Sequence, residues 1–187
     1  MNSKSDKFPI LETKRLLLRN IINEDAKNIL HYMSDEDVMQ YYGLAPFKSL
    51  DDAFEEISWY QTLLNKKTGI RWGITLKEKG IIIGSCGFHN IVSQHFRTEI
   101  GFELSKEMWG KGIAFEAVEA ITNYGFTHMS FQRVEALIEP PNLSSQRLVE
   151  KLGFMREGLL RNYEFTCGEF CDLYMYSLLK QDFDKTD

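Results

Sequence analysis

Glu107-Met108-Trp109-Gly110-Lys111-Gly112-Ile113-Ala114-Phe115-Glu116-Ala117 is the stretch on which the reading of the fold turns. A strand-like run at residues 96–104 precedes it. Apolar residues at helical spacing, Ile113, Ala117, Ile121 and Tyr124, follow it. Two glycines let the backbone turn tightly and let an anion approach with no Cβ in the way. The first N–H groups of the helix that opens here lack intrahelical partners, and the helix dipole favours negative charge at that end. The amides of Gly110, Lys111, Gly112, Ile113 and Ala114 are therefore a candidate diphosphate cradle; the plainer alternative is a turn that only leads into a helix. The stretch lacks the G-x-x-x-x-G-K-[ST] of a P-loop, and Phe115 stands where a dinucleotide fingerprint needs its third glycine.

Outward from this point the apolar periodicity keeps switching, as it does in α/β chains. Upstream, residues 15–20 read as a strand. Asn23 reads as the cap of a helix to about 32, with Glu24 and Asp25 in its first turn. Ser34-Asp35-Glu36-Asp37 leads into a short helix to 42, which Gly43 and Pro46 break. Ser49 and Asp52 make a capping-box pattern at the head of a helix to 65. Strands are expected at 70–77, 81–90 and 96–104, with hairpin spacing between them. Downstream, 112–127 is a helix and 133–139 a strand stopped by Pro140-Pro141. Residues 142–152 are a helix with Gly153 just past its end. A last strand pair, 154–165 and 169–179, surrounds Thr166-Cys167-Gly168, and residues 1–8 and 182–187 read as frayed ends. Hairpins followed by a strand–helix–strand crossover imply an α/β fold: a mixed, mainly antiparallel sheet with helices on both faces and parallel strands within the crossover.

Composition bounds the function. With 187 residues, one domain with its core at about 10–180 is expected. A chain of this size buries enough surface to need neither a disulfide nor a metal staple. Net charge is −5, and no dense Lys/Arg run is present that would neutralise phosphates, which argues against a nucleic-acid partner. Cys86, Cys167 and Cys171 are odd in number and form no paired framework, so free thiols in a reducing compartment are expected. His89, His95 and Glu99 straddle a turn at a spacing that fits no recognised metal site. The polar start of the chain and the absence of a long apolar run give a cytoplasmic protein with no membrane partner as the expectation.

A second constellation, Pro141-Asn142-Leu143-Ser144-Ser145-Gln146-Arg147-Leu148-Val149-Glu150-Lys151-Leu152-Gly153-Phe154, opens the helix after the crossover. Together with the strand Thr98-Glu99-Ile100-Gly101-Phe102-Glu103-Leu104 and the Trp109–Ala114 loop, it resembles the GNAT superfamily of N-acetyltransferases, in its RimJ/RimL-like branch. The resemblance runs from Leu11-Glu12-Thr13-Lys14-Arg15-Leu16 to the last strand. Trp109 departs from the usual Gln/Arg at the first position of the loop pattern.

The resemblance implies a GNAT fold whose sheet splays at a central parallel strand pair, and acetyl-CoA as co-substrate with no metal. It implies that the loop amides hold the CoA diphosphate and that Phe102 and Leu104 offer main-chain groups to the pantetheine arm. Asn142 would bond that arm, and Arg147 the ribose phosphate. Glu99 is the expected general base. Ser145 is the expected acid to the leaving thiolate, with Tyr41 or Tyr42 as the alternative. Tyr41, Tyr42, Phe47, Arg71, Trp72 and His89 are candidates to line the acceptor pocket, although Trp72 and Tyr42 also read as core. The expected partner is a protein N-terminus, as in a ribosomal-protein-alanine N-acetyltransferase, or a small-molecule amine or antibiotic, with a homodimer as a compatible assembly. A noncatalytic acyl-CoA-binding regulatory module is the rival reading.

Overall fold

A computed structural model describes residues 7–183 of the chain. Two short strands, β1 (Leu11–Glu12) and β2 (Leu16–Arg19), come first. The Asn23 cap does not form. A single 3-10 turn, Asn23–Asp25, precedes α1 (Ala26–Met33), and the buried Asp25 carboxylate fixes the entry. It accepts from the Ile22 N–H at 3.0 Å and pairs with Arg19 at 2.8 Å, so the cap work falls to a carboxylate already held by an arginine. The next helix, α2 (Glu36–Met39), is capped by Asp35 and stops earlier than expected. The Tyr42 N–H turns back to the Met39 carbonyl at 3.0 Å, which takes Tyr41 and Tyr42 out of the helix. The capping box forms at the head of α3 (Leu50–Asn65), where Ser49 and Asp52 satisfy each other's backbone N–H groups.

The remaining elements are β3 (Ile70–Leu76), β4 (Ile82–Val92), β5 (Arg97–Leu104), α4 (Ile113–His128), β6 (Arg133–Ile138), α5 (Leu143–Lys151), β7 (Met155–Thr166), β8 (Glu169–Leu179) and α6 (Lys180–Phe183). Gly153 ends α5 at φ +91°, as its position implied. The eight strands form one sheet in the order β1-β2-β3-β4-β5-β6-β8-β7, antiparallel except for β5 and β6. That parallel pairing covers only Arg97 with Arg133, Thr98 with Val134 and Glu99 with Glu135. Beyond Glu99 the two strands part.

Each sheet face carries its own core. Odd and even positions of β3 divide between them: Ile70, Trp72 and Ile74 join the cluster beneath α4 and α5. On the other face Ile29 and Met33 of α1 and Ile57 of α3 pack with Ile21 and Ile82. Trp72 is fully buried, with edge-on contacts to Phe88 at 6.1 Å and Tyr124 at 5.7 Å, and its Nε1 donates to the Pro9 carbonyl. Phe8 packs edge-on against Trp72, and Phe183 lies 5.3 Å from Phe126. Both ends of the described chain are thus anchored rather than frayed; residues 1–6 and 184–187 lie outside the described residues.

Candidate active site

The turn before α4 is shaped by its two glycines. Gly110 and Gly112 both sit at φ +71°, a conformation that costs an L side chain about 1–2 kcal/mol. Gly112 is the residue immediately before α4. Behind the turn stands Arg15. Its Nη1 donates to the Lys111 carbonyl at 2.8 Å and its Nη2 to the Gly112 carbonyl at 3.0 Å. The Arg15 Nε pairs with Glu116 at 2.6 Å, and the same carboxylate accepts from the Arg15 N–H and the Thr13 hydroxyl. Burial lifts the Glu116 carboxyl, but these donors outweigh it and hold the group below the ordinary carboxylate range. In front of the turn lies a cleft of about 510 Å³, lined by Phe102, Leu104, Trp109, Gly110, Gly112, Ile113, Ala114, Asn142, Ser145 and Arg147 among others. A Cβ built on Gly110 would meet nothing within 4 Å, so the turn has room for a bound group against its backbone.

The opposite wall is the free edge of β5. The Ser105 N–H donates to the Ile83 carbonyl at 2.8 Å, so alternation along the strand turns the backbone groups of Phe102 and Leu104 toward β6, which has diverged. The Leu104 carbonyl is already held by the Trp109 Nε1–H at 2.7 Å, leaving its N–H and both Phe102 groups on the open edge. This gives Trp109 a local function: it pins the loop to the strand. Asn142 caps α5, its Oδ1 accepting from the Ser145 N–H and the Ser144 hydroxyl, both at 3.1 Å. Its amide nitrogen is not part of that cap.

A second cleft, of about 660 Å³, meets the first at Tyr41, Tyr42, Phe102, Asn142 and Ser145. Its walls carry Glu56, Trp59, Arg71, His89, Glu99, Glu139 and Glu164. His89 Nε2 lies 3.4 Å from Glu99, and Asn90 donates to the same Glu99 oxygen at 3.1 Å. Burial pushes the Glu99 carboxyl up; His89, Asn90 and the Arg97 charge together outweigh it and leave the group below its usual value, hence ionised at neutral pH. Glu139 moves the other way, raised by burial and then by the neighbouring Glu164 carboxylate. The Tyr42 hydroxyl donates to Glu56 at 2.7 Å, and burial holds its proton well above the normal phenol range.

Between and beneath the clefts, Arg71 and Glu103 form an almost wholly buried ion pair bridged by Ser85, which accepts from the Arg71 Nε at 2.6 Å and donates to Glu103. Arg71 therefore reaches the second cleft with its charge already matched. Two expected lining residues are elsewhere. Trp72 points into the core beneath α4, because its odd-numbered neighbours Arg71 and Gly73 take the other face, and Phe47 is buried against α1 and α3. Of the expected residues, Glu99, Tyr41, Tyr42, Arg71 and His89 line the second cleft, and Phe102, Leu104, Gly110, Gly112, Ile113, Ala114, Asn142, Ser145 and Arg147 line the first; Lys111 lies in the turn between Gly110 and Gly112 without lining the cleft. Arg15, Glu116, Glu103 and Glu139 were missed. Arg15 lies 96 residues from the carbonyl it binds, a separation that no local pattern reports. Among the described residues no group of three or more His, Cys, Asp or Glu side chains converges to hold a metal ion, and no helix is long and apolar enough to cross a membrane.

The acetyltransferase (GNAT) domain model matches residues 15–155. The uncharacterized N-acetyltransferase YoaA of Bacillus subtilis (strain 168) is 40% identical over 173 residues, 92% of this chain and 98% of its own. A crystal structure of a GNAT-family acetyltransferase from Bacillus anthracis superposes with a TM-score of 0.82 at 29% identity, covering 92% of this chain and 99% of the other. The [Ribosomal protein uS5]-alanine N-acetyltransferase of Escherichia coli (strain K12) is more distant, at 26% identity over 92% of this chain and 91% of its own. A splayed strand pair, a glycine turn opening a helix and these relatives agree: the chain belongs to the GNAT family, acetyltransferases that depend on acetyl-CoA.

Proposed function

We propose that the chain acetylates a protein N-terminal amine by direct attack on acetyl-CoA, both substrates being bound together. The observation that carries this reading is that two clefts, one fronting the glycine turn and one walled by His89 and Glu99, meet at Phe102, Asn142 and Ser145 where the strands part. In the first cleft, the amides of Gly110 to Ala114 would take the diphosphate, Arg147 the ribose phosphate, and the Phe102 carbonyl with the Leu104 N–H the pantetheine amides, which pair with a strand edge as a peptide does. The site thus fits the co-substrate, which brings the activated acetyl group; the protein supplies position and proton handling.

On the acceptor side an incoming amine arrives protonated and must lose a proton before it attacks. The ionised Glu99, braced by His89 and Asn90, would accept that proton directly or through water. The Phe102 N–H on the open edge can steady negative charge developing on the carbonyl oxygen. Ser145, at the junction, would relay to the departing thiolate the proton that the acylated nitrogen sheds, its hydroxyl giving one proton and regaining the other. Tyr42 is less suited to that task because its hydroxyl is committed to Glu56. The carboxylates of Glu56, Glu99, Glu139 and Glu164 around the cleft favour an ammonium-bearing acceptor. The cleft is open to solvent, which suits the tip of an extended chain, and the likeness to the uS5-alanine enzyme agrees with such a substrate.

The test is release of free CoA thiol from acetyl-CoA with a panel of N-terminal peptides, polyamines and amino acids. Peptides are expected to lead the panel; turnover confined to polyamines or amino acids would replace the acceptor, and tight CoA binding with no turnover at all would leave a binding module. Ser145→Ala should lower kcat more than it weakens CoA binding, and equal losses would return Ser145 to a purely structural place in α5.

A further inference from the structure

We propose that Arg15 is a positioning residue for acyl-donor binding: its guanidinium, held by Glu116, aims the amides of the 110–114 turn into the cleft. This rests on the diphosphate assignment above. In a trans peptide unit the C=O and N–H point in opposite directions. A donor that holds the Lys111 carbonyl from behind therefore turns the Gly112 N–H the other way, and one that holds the Gly112 carbonyl does the same for the Ile113 N–H. Arg15 binds both carbonyls, at 2.8 and 3.0 Å. The Gly112 carbonyl has a second anchor, the Glu116 N–H of the first helical turn at 3.2 Å. The Lys111 carbonyl lies outside the helix, so the peptide preceding Gly112 depends on Arg15 most.

The chemistry requires an arginine. Two carbonyls and one carboxylate are served at once by a planar fork with donors on three nitrogens, and a lysine ammonium cannot span them in that geometry. Glu116 is equally specific. One of its oxygens takes the Arg15 N–H and the Thr13 hydroxyl, and the other takes the Arg15 Nε. The Arg15 charge is matched by Glu116, so its action on an anion is geometric before it is electrostatic. Its side chain is 42% exposed, and ion pairs so exposed contribute little to global stability. Loss of Arg15 should thus be felt at the turn and not in the fold.

The discriminating measurement is binding of two ligands that share an arm and differ in the diphosphate. Kd for CoA is measured by calorimetry, and Kd for pantetheine, which lacks the diphosphate and nucleotide, by ligand-observed NMR. Arg15→Ala should raise the Kd for CoA about tenfold, the scale of one lost charge-assisted hydrogen bond, and leave that for pantetheine within about twofold. Arg15→Lys keeps the charge and can serve one carbonyl, so it should fall between the two. Thermal melts accompany each variant. An unchanged CoA Kd in Arg15→Ala overturns the proposal, and so does a parallel loss of CoA and pantetheine. If Arg15→Ala does not fold, Arg15→Lys decides: CoA binding equal to that of the unaltered protein overturns it. Failure of the unaltered protein to bind CoA at all removes the diphosphate assignment, and this inference with it.

Discussion

Replacing Arg71 by methionine isolates the buried charge beneath the two clefts. The change removes a guanidinium whose side chain is 5% exposed and strands Glu103, which is 3% exposed. Breaking a buried pair from one side costs about 3–5 kcal/mol, because a charge is left uncompensated in a dry site. For a chain of this length each kcal/mol moves Tm by about 2–4 °C, so a drop of about 6–20 °C is expected near pH 8. The pH dependence identifies the cause. Burial already raises the Glu103 carboxyl above its ordinary value, and Arg71 opposes that. Without Arg71 the folded-state value rises further. A carboxyl raised in the folded state favours folding while it is protonated, and that advantage disappears as pH climbs through the folded value. The penalty in Arg71→Met should therefore be largest at pH 8 and shrink toward pH 5, where Glu103 takes up a proton. Replacing the whole unit, Arg71→Met with Glu103→Leu and Ser85→Ala, should recover most of the loss. Denaturant melts of all variants at pH 5, 6.5 and 8 give the comparison; a deficit that is flat with pH, or a triple variant no better than the single one, would refute the reasoning.

Trp72→Ala should cost about 3–5 kcal/mol in denaturant melts, since it empties the centre of the α4-side core. Gly112→Ala should weaken CoA binding measured by calorimetry and cost about 1–2 kcal/mol of stability; its Cβ would meet only Arg15 Nη2 at 3.5 Å, so the penalty is in the backbone and not in a clash. Glu99→Gln should lower kcat about a hundredfold. Because Glu99 titrates below the ordinary range, the unaltered enzyme should show no loss of activity from its protonation between pH 5 and 8; full activity in Glu99→Gln would take it out of the proton path.

Much of this molecule was legible in its sequence, for reasons that are local. The Ser49/Asp52 box, Gly153 past the end of α5 and the glycine turn before α4 each act within a few residues, and each forms as its pattern implied. The parallel pair followed from the crossover. What escaped were effects of distant partners. Asn23 lost its cap because Arg19 fixes Asp25. Phe47 read as a pocket residue, but its bond to the Met33 carbonyl and the packing of α1 and α3 bury it, while Trp72, which also read as core, is core. Phe8 and Phe183 read as loose ends because the rings that hold them, Trp72 and Phe126, lie far along the chain. At the site, the candidate residues came from the family resemblance, whereas the contacts of Arg15 with Glu116 and with the Lys111 and Gly112 carbonyls join segments about a hundred residues apart, and no local pattern announces them.

The indole of Trp109, pinned to the Leu104 carbonyl and 46% exposed at the wall of the first cleft, has a practical consequence. Of the chain's three tryptophans, Trp72 is sealed in the core and Trp59, 43% exposed, stands in the second cleft. The three fluorophores therefore sample three different environments. With Trp59 changed to Phe, quenching of the red-edge emission reports occupancy of the first cleft; with Trp109 changed to Phe, it reports occupancy of the second, while Trp72 supplies a steady blue-shifted reference.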